Sequence, residues 1–354
     1  MTDPLRQLQA KAGATFSDQS VPLSFGNDAV ALQAAERGAA LVDRSHWGRI
    51  RLDGADRLRF LHNQSTNSFQ QRQPGQVCDT VFVTSTARTL DLLTAYILED
   101  SVLLLVSPGQ TQRLIEWMDR FIFFADKVSL TDVTAETATF SLVGPISQTL
   151  LTKIGAEVVA NLAPGQHRHC SLGDLDVRIA AGSGFTLPGY TLICAADQAA
   201  PLWQRLTEVG AVPLGEQDWQ YLRIRQGRPM PGAELSDDYN PLEAGLWSAI
   251  AFDKGCYIGQ ETIARLNTYQ GVKQQLWGLK LSALESPGTP ITVDGSKVGQ
   301  LTSVIETPEG PFGLGYIRTK SGGAGLQVRV GNSEATVLDI PFASRGYLAV
   351  QPSE

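Results

Sequence analysis

The sequence has no two cysteines set two residues apart, and only four in all: Cys78, Cys170, Cys194 and Cys256. Spread this way, they suit neither a structural zinc site, nor a four-cysteine cluster site, nor a secreted disulfide framework; a reducing compartment fits better. No run of lysines or arginines is present and the formal net charge is -7. That argues against nucleic acid as a partner, since its backbone attracts clustered cations. No apolar run is long enough to span a membrane. Residues 1 to 20 lack the basic start and apolar core of a signal peptide, so a soluble, cytoplasmic protein with no membrane partner is expected. A dinucleotide-binding glycine fingerprint, low-complexity segments and internal repeats are also missing.

What is present is ordinary globular material: 354 residues, 43% hydrophobic and 18% charged, enough for two or three domains with a real core. Residues 3–12 read as a short helix with Pro4 in its first turn, and 29–38 as an alanine-rich helix ending at Gly38. Strands are expected at 49–52, 77–83, 90–98, 102–107, 128–133 and 137–143, and a helix from Pro108-Gly109 through Phe124. His167, His169 and Cys170 read as a polar loop after Pro164-Gly165, and no permanently bound metal is expected. From Gln275 the texture becomes short alternating segments. Asp294-Gly295 between two β-rich runs signals a hairpin. The fold class is therefore α+β, with mixed and antiparallel sheet and a C-terminal all-β module.

The most informative stretch is Lys254-Gly255-Cys256-Tyr257-Ile258-Gly259-Gln260-Glu261. A thiol reacts as its thiolate, which a nearby cation or a helix N-terminus stabilises. Lys254 supplies the charge. Gln260 to Leu266 reads as a helix, with Glu261 in its first turn where a carboxylate complements the helix dipole. Gly255 and Gly259 allow a sharp turn or a close backbone approach. The alternative is a buried, inert cysteine in a strand-to-helix turn. A strand at 248–252 is expected to deliver the cysteine to a cleft.

This stretch resembles the KGCYxGQE motif of the YgfZ family, the folate-binding or iron–sulfur cluster assembly family. That family is related to the T-protein of the glycine cleavage system, a tetrahydrofolate-dependent aminomethyltransferase. The resemblance runs along the chain. Leu41 to Ile50 resembles FDVSHMGxI, with Asp43, Ser45, His46 and Gly48 in place. Gln64 to Ser68 resembles LTTND, keeping Asn67. Leu222 to Gly227 resembles LRxEAG, keeping Arg223, and Asn240 to Leu246 matches NPxEAGL.

The resemblance implies a T-protein-like three-part fold around a central cleft. Residues 1–274 would form an α+β core of two interleaved subdomains, one of them about 48–135, and 275–354 a β-barrel. It also implies tetrahydrofolate as cofactor, with Asn67, Tyr96, Arg223, Trp219, Tyr257 and Gln260 lining its pocket. Iron–sulfur proteins or their assembly factors would be transient partners. Cys256 is the candidate reactive thiol and Lys254 the group that lowers its pKa.

Against aminomethyl transfer stands the segment Thr89 to Tyr96. Asp91 matches the first of the family's paired aspartates, but Leu92 falls where the catalytic one is expected. The pterin-side glutamate of GFE is Thr191. Three readings therefore follow: an accessory factor for iron–sulfur proteins, a one-carbon transferase, and a non-catalytic module for another flat ligand.

Overall fold

The computed structural model describes residues 3–349. The chain forms two compact units, and both are discontinuous in sequence. The first runs up to Leu58 and resumes at Arg72–Cys78 and Thr94–Leu222; the second comprises Arg59–Gln71, Asp79–Leu93 and the chain from Arg223 onward.

The first unit is built on a six-stranded sheet. Its order is His167–Leu172, Leu175–Ala181, Gly189–Ala195, Thr137–Val143, Ala40–Asp43 and Val212–Leu214. All neighbours are antiparallel except the last pair, which is parallel. Alternation explains the core: Val177 and Ile179 point inward with Phe140, Leu142 and Leu192, and the helix Ala199–Glu208 covers them with Leu202, Trp203 and Leu206. A five-stranded sheet has the order Val77–Val83, Thr89–Ile97, Ser101–Val106, Gly48–Asp53, Ser129–Asp132. Its first two strands each belong partly to one unit and partly to the other.

The second unit contains a closed six-stranded barrel: Gln274–Leu281, Phe312–Arg318, Ser296–Ile305, Pro290–Val293, Gln327–Val330 and Ser333–Leu338. Closure removes the exposed sheet edges. The expected hairpin is there. Val293 pairs with Ser296, and Asp294 and Gly295 both take positive φ (47° and 77°), as a two-residue turn of this hand demands. Beside the barrel, an apolar cluster gathers Val81, Val83, Leu92, Ile224, Leu246 and Ile263 from five stretches of chain.

Three local expectations are corrected. Residues 167–172 form a strand, not a loop, because Gly173 (φ 68°) closes a tight hairpin that pairs Leu172 with Leu175. The helix Thr111–Asp119 stops before Phe124: Phe121 N–H and Ile122 N–H donate to Met118 and Asp119 carbonyls in tight turns. Residues 248–252 are not a strand. The indole of Trp247 donates to the Leu242 carbonyl at 3.1 Å, folding the segment into a short 3-10 turn at Trp247–Ala249.

Candidate functional site: a pinned turn bearing an exposed thiol

Lys254 organises the site. Its ammonium donates to three backbone carbonyls, those of His62, Ser65 (2.7 Å) and Asn67 (2.7 Å). An ammonium has three donors, so this set matches its capacity. The acceptors lie in the last turn of the helix Arg57–Gln64 and just beyond it, where carbonyls lack intrahelical partners and carry the negative end of the dipole. The Tyr257 ring lies 4.6 Å from the same ammonium, and the Gln260 amide donates to the Lys254 carbonyl at 3.4 Å. Ile258 N–H donates to Asn63 O at 3.2 Å, tying the far side of the turn to the same helix end. Lys254 therefore closes a structural contact between the motif and the helix end.

Cys256 sits in this turn and is exposed. The turn passes into the helix Gln260–Thr268 through Gly259, which takes φ 81°. A side chain there would lie 2.7 Å from the Thr84 carbonyl, so glycine is required on two grounds. The other thiols differ. Cys194 is buried, and burial pushes its pKa up to about 12; Cys170 is also raised by burial.

His62, passed over in the sequence, faces this turn. It is buried, and its Nδ1 accepts from the Phe69 N–H at 3.2 Å, which leaves the proton on Nε2. Burial, then the Lys254 charge, lowers its pKa. A methyl group placed on Gly255 would lie 3.8 Å from His62 Nε2. Only the fold brings this imidazole to the cysteine motif; no spacing in the sequence announces it.

A second polar group in the same unit surrounds Arg228. That guanidinium is buried, which lowers its pKa, while the charges of Asp79 and Asp91 act to raise it. Asp91 is 0% exposed and Leu92 is 2% exposed in the apolar cluster. Neighbouring strand residues face opposite ways, so position 92 belongs to the core and the polar face carries Asp91. The buried carboxylate of this segment is thus Asp91, and Leu92 packs in the apolar cluster.

Arg223, expected in the pocket, is instead part of the interior. It pairs with Glu234 at 3.0 Å and donates to Ser303 at 3.1 Å. Glu234 also accepts from Thr302 (2.8 Å), Ser303 (2.6 Å) and the Met230 N–H (3.2 Å). Asn67 uses its amide locally, on Asp79 O and Ser68 N, while remaining half-buried.

Tyr96 and Trp219 belong to the first unit. Tyr96 is 2% exposed, edge-on to His167 at 6.0 Å. Trp219 is 1% exposed and packs on Trp47 (5.3 Å) and Phe185 (5.5 Å). His46, in the matching family segment, is held neutral by burial, with its pKa lowered to about 4. Its 3.5 Å approach to Glu216 is therefore not an ion pair at neutral pH. Of the residues expected at the site, the structure groups Asn67, Lys254, Tyr257, Gln260 and Cys256.

The model of the GCVT N-terminal domain matches residues 1–254, so the match ends at Lys254. A chloroplastic "Putative transferase" of Arabidopsis thaliana is 46% identical over 337 residues, covering 94% of this chain and 78% of that protein. An "Aminomethyltransferase" of Halalkalibacterium halodurans is 29% identical over 346 residues, covering 94% of each. The crystal structure of the glycine cleavage system aminomethyltransferase T from Bartonella henselae superposes with a TM-score of 0.84 at 22% identity, covering 97% of this chain and 98% of that one. That agreement shows the T-protein-like fold.

Proposed function

The chain belongs to the family defined by the GCVT N-terminal domain, and on that premise we propose that it is a folate-binding accessory protein that serves iron–sulfur cluster proteins through Cys256 in a reducing cytoplasm. The observation that carries this reading is the exposed Cys256 thiol in a turn whose backbone is pinned by Lys254. A thiolate ligates iron and attacks sulfur species. One thiolate does not fill a cluster's coordination, so the client protein supplies the remaining ligands and the contact is transient. Positioning is the turn's contribution: the clamp on residues 62–67 and the positive φ at Gly259 hold the thiol outward.

A reduced folate is a flat ring system with a hydrogen-bonding edge. The half-buried residues around the turn offer a phenol ring (Tyr257) and the amides of Asn67 and Gln260, each of which spends one N–H on a backbone carbonyl and has a second to donate. These three residues would hold it. Burial pushes the Tyr257 pKa up to about 12, so its phenol stays protonated and donates. Bound folate supplies a one-carbon carrier; the chain's own residues orient it.

The second reading is a tetrahydrofolate-dependent one-carbon transferase. Asp91 favours it, because a carboxylate remains on the polar face of the strand. Its complete burial beside Arg228 weighs the other way, since a carboxylate that handles protons must reach the substrate.

Cells carrying Cys256→Ala should lose activity of cluster-dependent enzymes while keeping normal levels of the protein. Unchanged enzyme activity sinks the thiol reading. Robust aminomethyl turnover with tetrahydrofolate, abolished by Asp91→Asn, would put the transferase first.

A further inference from the structure

The second unit carries a cavity of about 750 Å³ that the thiol and folate chemistry does not use. This size lies within the range of small-molecule sites. Four cations line it, Arg88, Lys273, Arg318 and Lys320, against two carboxylates, Asp238 and Glu243. A local positive excess is notable in a chain of net charge -7.

The backbone fixes these cations in place. Arg318 sits opposite Gln274 where the barrel ladder begins, and the Thr319 N–H donates to Lys273 O at 2.8 Å. The Thr319 hydroxyl donates to Val272 O at 3.0 Å. Lys273, Arg318 and Lys320 therefore ride on two hydrogen-bonded segments, which keep their backbones adjacent. Arg88 is held by donation to the Asp238 carbonyl at 2.8 Å. Like charges fixed across paired segments repel, and a multiply charged anion between them removes that cost. Asp238 and Glu243 set two carboxylates against the four cations, which leaves a positive excess for a ligand to meet. The Glu243 carboxylate accepts from the Asn240 N–H at 3.1 Å, and burial raises its pKa despite Arg88 and Lys273 nearby.

We propose that this cavity binds a small organic anion with two or more negative charges, a phosphomonoester or an oligocarboxylate, through Arg88, Lys273, Arg318 and Lys320. Calorimetric titration of the full chain with phenyl phosphate and, separately, with tricarballylate distinguishes the two sources. The expected result is saturable binding of at least one, weakened by salt, and about tenfold weaker in Lys273→Gln and in Arg318→Gln. Both side chains are exposed, so the substitutions leave the core intact, and circular dichroism checks this. Lys320→Gln, also exposed, replaces either variant that melts early. No saturable binding of either anion, or binding that the substitutions leave unchanged, overturns the proposal. This site stands apart from the folate reading: tetrahydrofolate affinity should be the same in these variants and the parent.

Discussion

Lys254 shows how one side chain serves both fold and site. Its ammonium donates to three main-chain carbonyls at and just beyond a helix end. Charge-assisted hydrogen bonds of this kind are stronger than neutral ones, and partners left behind keep their desolvation cost. Lys254→Met should therefore destabilise the protein by about 2–3 kcal/mol, measured by urea unfolding. Lys254→Arg should not restore it, because a planar fork cannot address three carbonyls around one point. The sequence showed the lysine's charge beside the thiol. It did not show the carbonyls, since they are main-chain atoms with no residue signature. The same limit hid His62, which lies far from the motif in sequence. At Leu92 the reverse held: alternation along the strand already implied that positions 91 and 92 face opposite ways, and the fold buries both, Leu92 in the apolar cluster and Asp91 within reach of the Arg228 charge.

At the level of elements, local chemistry read well wherever a backbone conformation demands a residue type. The Asp294-Gly295 hairpin and the glycine before the helix Gln260–Thr268 are such places. Where tertiary contact decides, the reading missed. Trp247 turned an expected strand into a 3-10 turn by reaching Leu242 O, and hairpin pairing made a strand of an apparent polar loop. Gly259→Ala tests the first kind. A left-handed φ costs an L-residue about 1–2 kcal/mol, and the added methyl also meets the Thr84 carbonyl and Val83. The variant should melt well below the parent in a thermal scan. Gly255→Ala, whose methyl meets only His62 at an ordinary 3.8 Å, should melt close to it.

For the whole molecule, stability should depend on acid through two histidines of the first unit. His46 and His167 both have pKa values lowered from 6.5 to about 4 by burial. His167 is fixed neutral by geometry as well: Nδ1 accepts from Arg178 and Nε2 donates to Ile97 O, each at 2.8 Å. Between about pH 4 and 6.5 the unfolded chain binds protons that the native state refuses, so stability falls as pH falls through that window. Asp218 opposes this. Burial, then Asp28, raises its pKa to about 6, so the native state keeps a proton that the unfolded chain has shed. Its contribution declines as pH rises from about 4 to 6. Urea midpoints across this range should fall less steeply toward acid in His46→Gln and more steeply in Asp218→Asn than in the parent.

The clamp at Lys254 also bears on how the protein is made. Its acceptors precede it by 187 to 192 residues. During synthesis the helix end at 62–67 has long left the ribosome while its cation has yet to be translated. The thiol-bearing turn thus cannot lock until the chain has been made past residue 254, and a nascent polypeptide stalled before that point exposes a helix terminus that its own distant downstream segment seals.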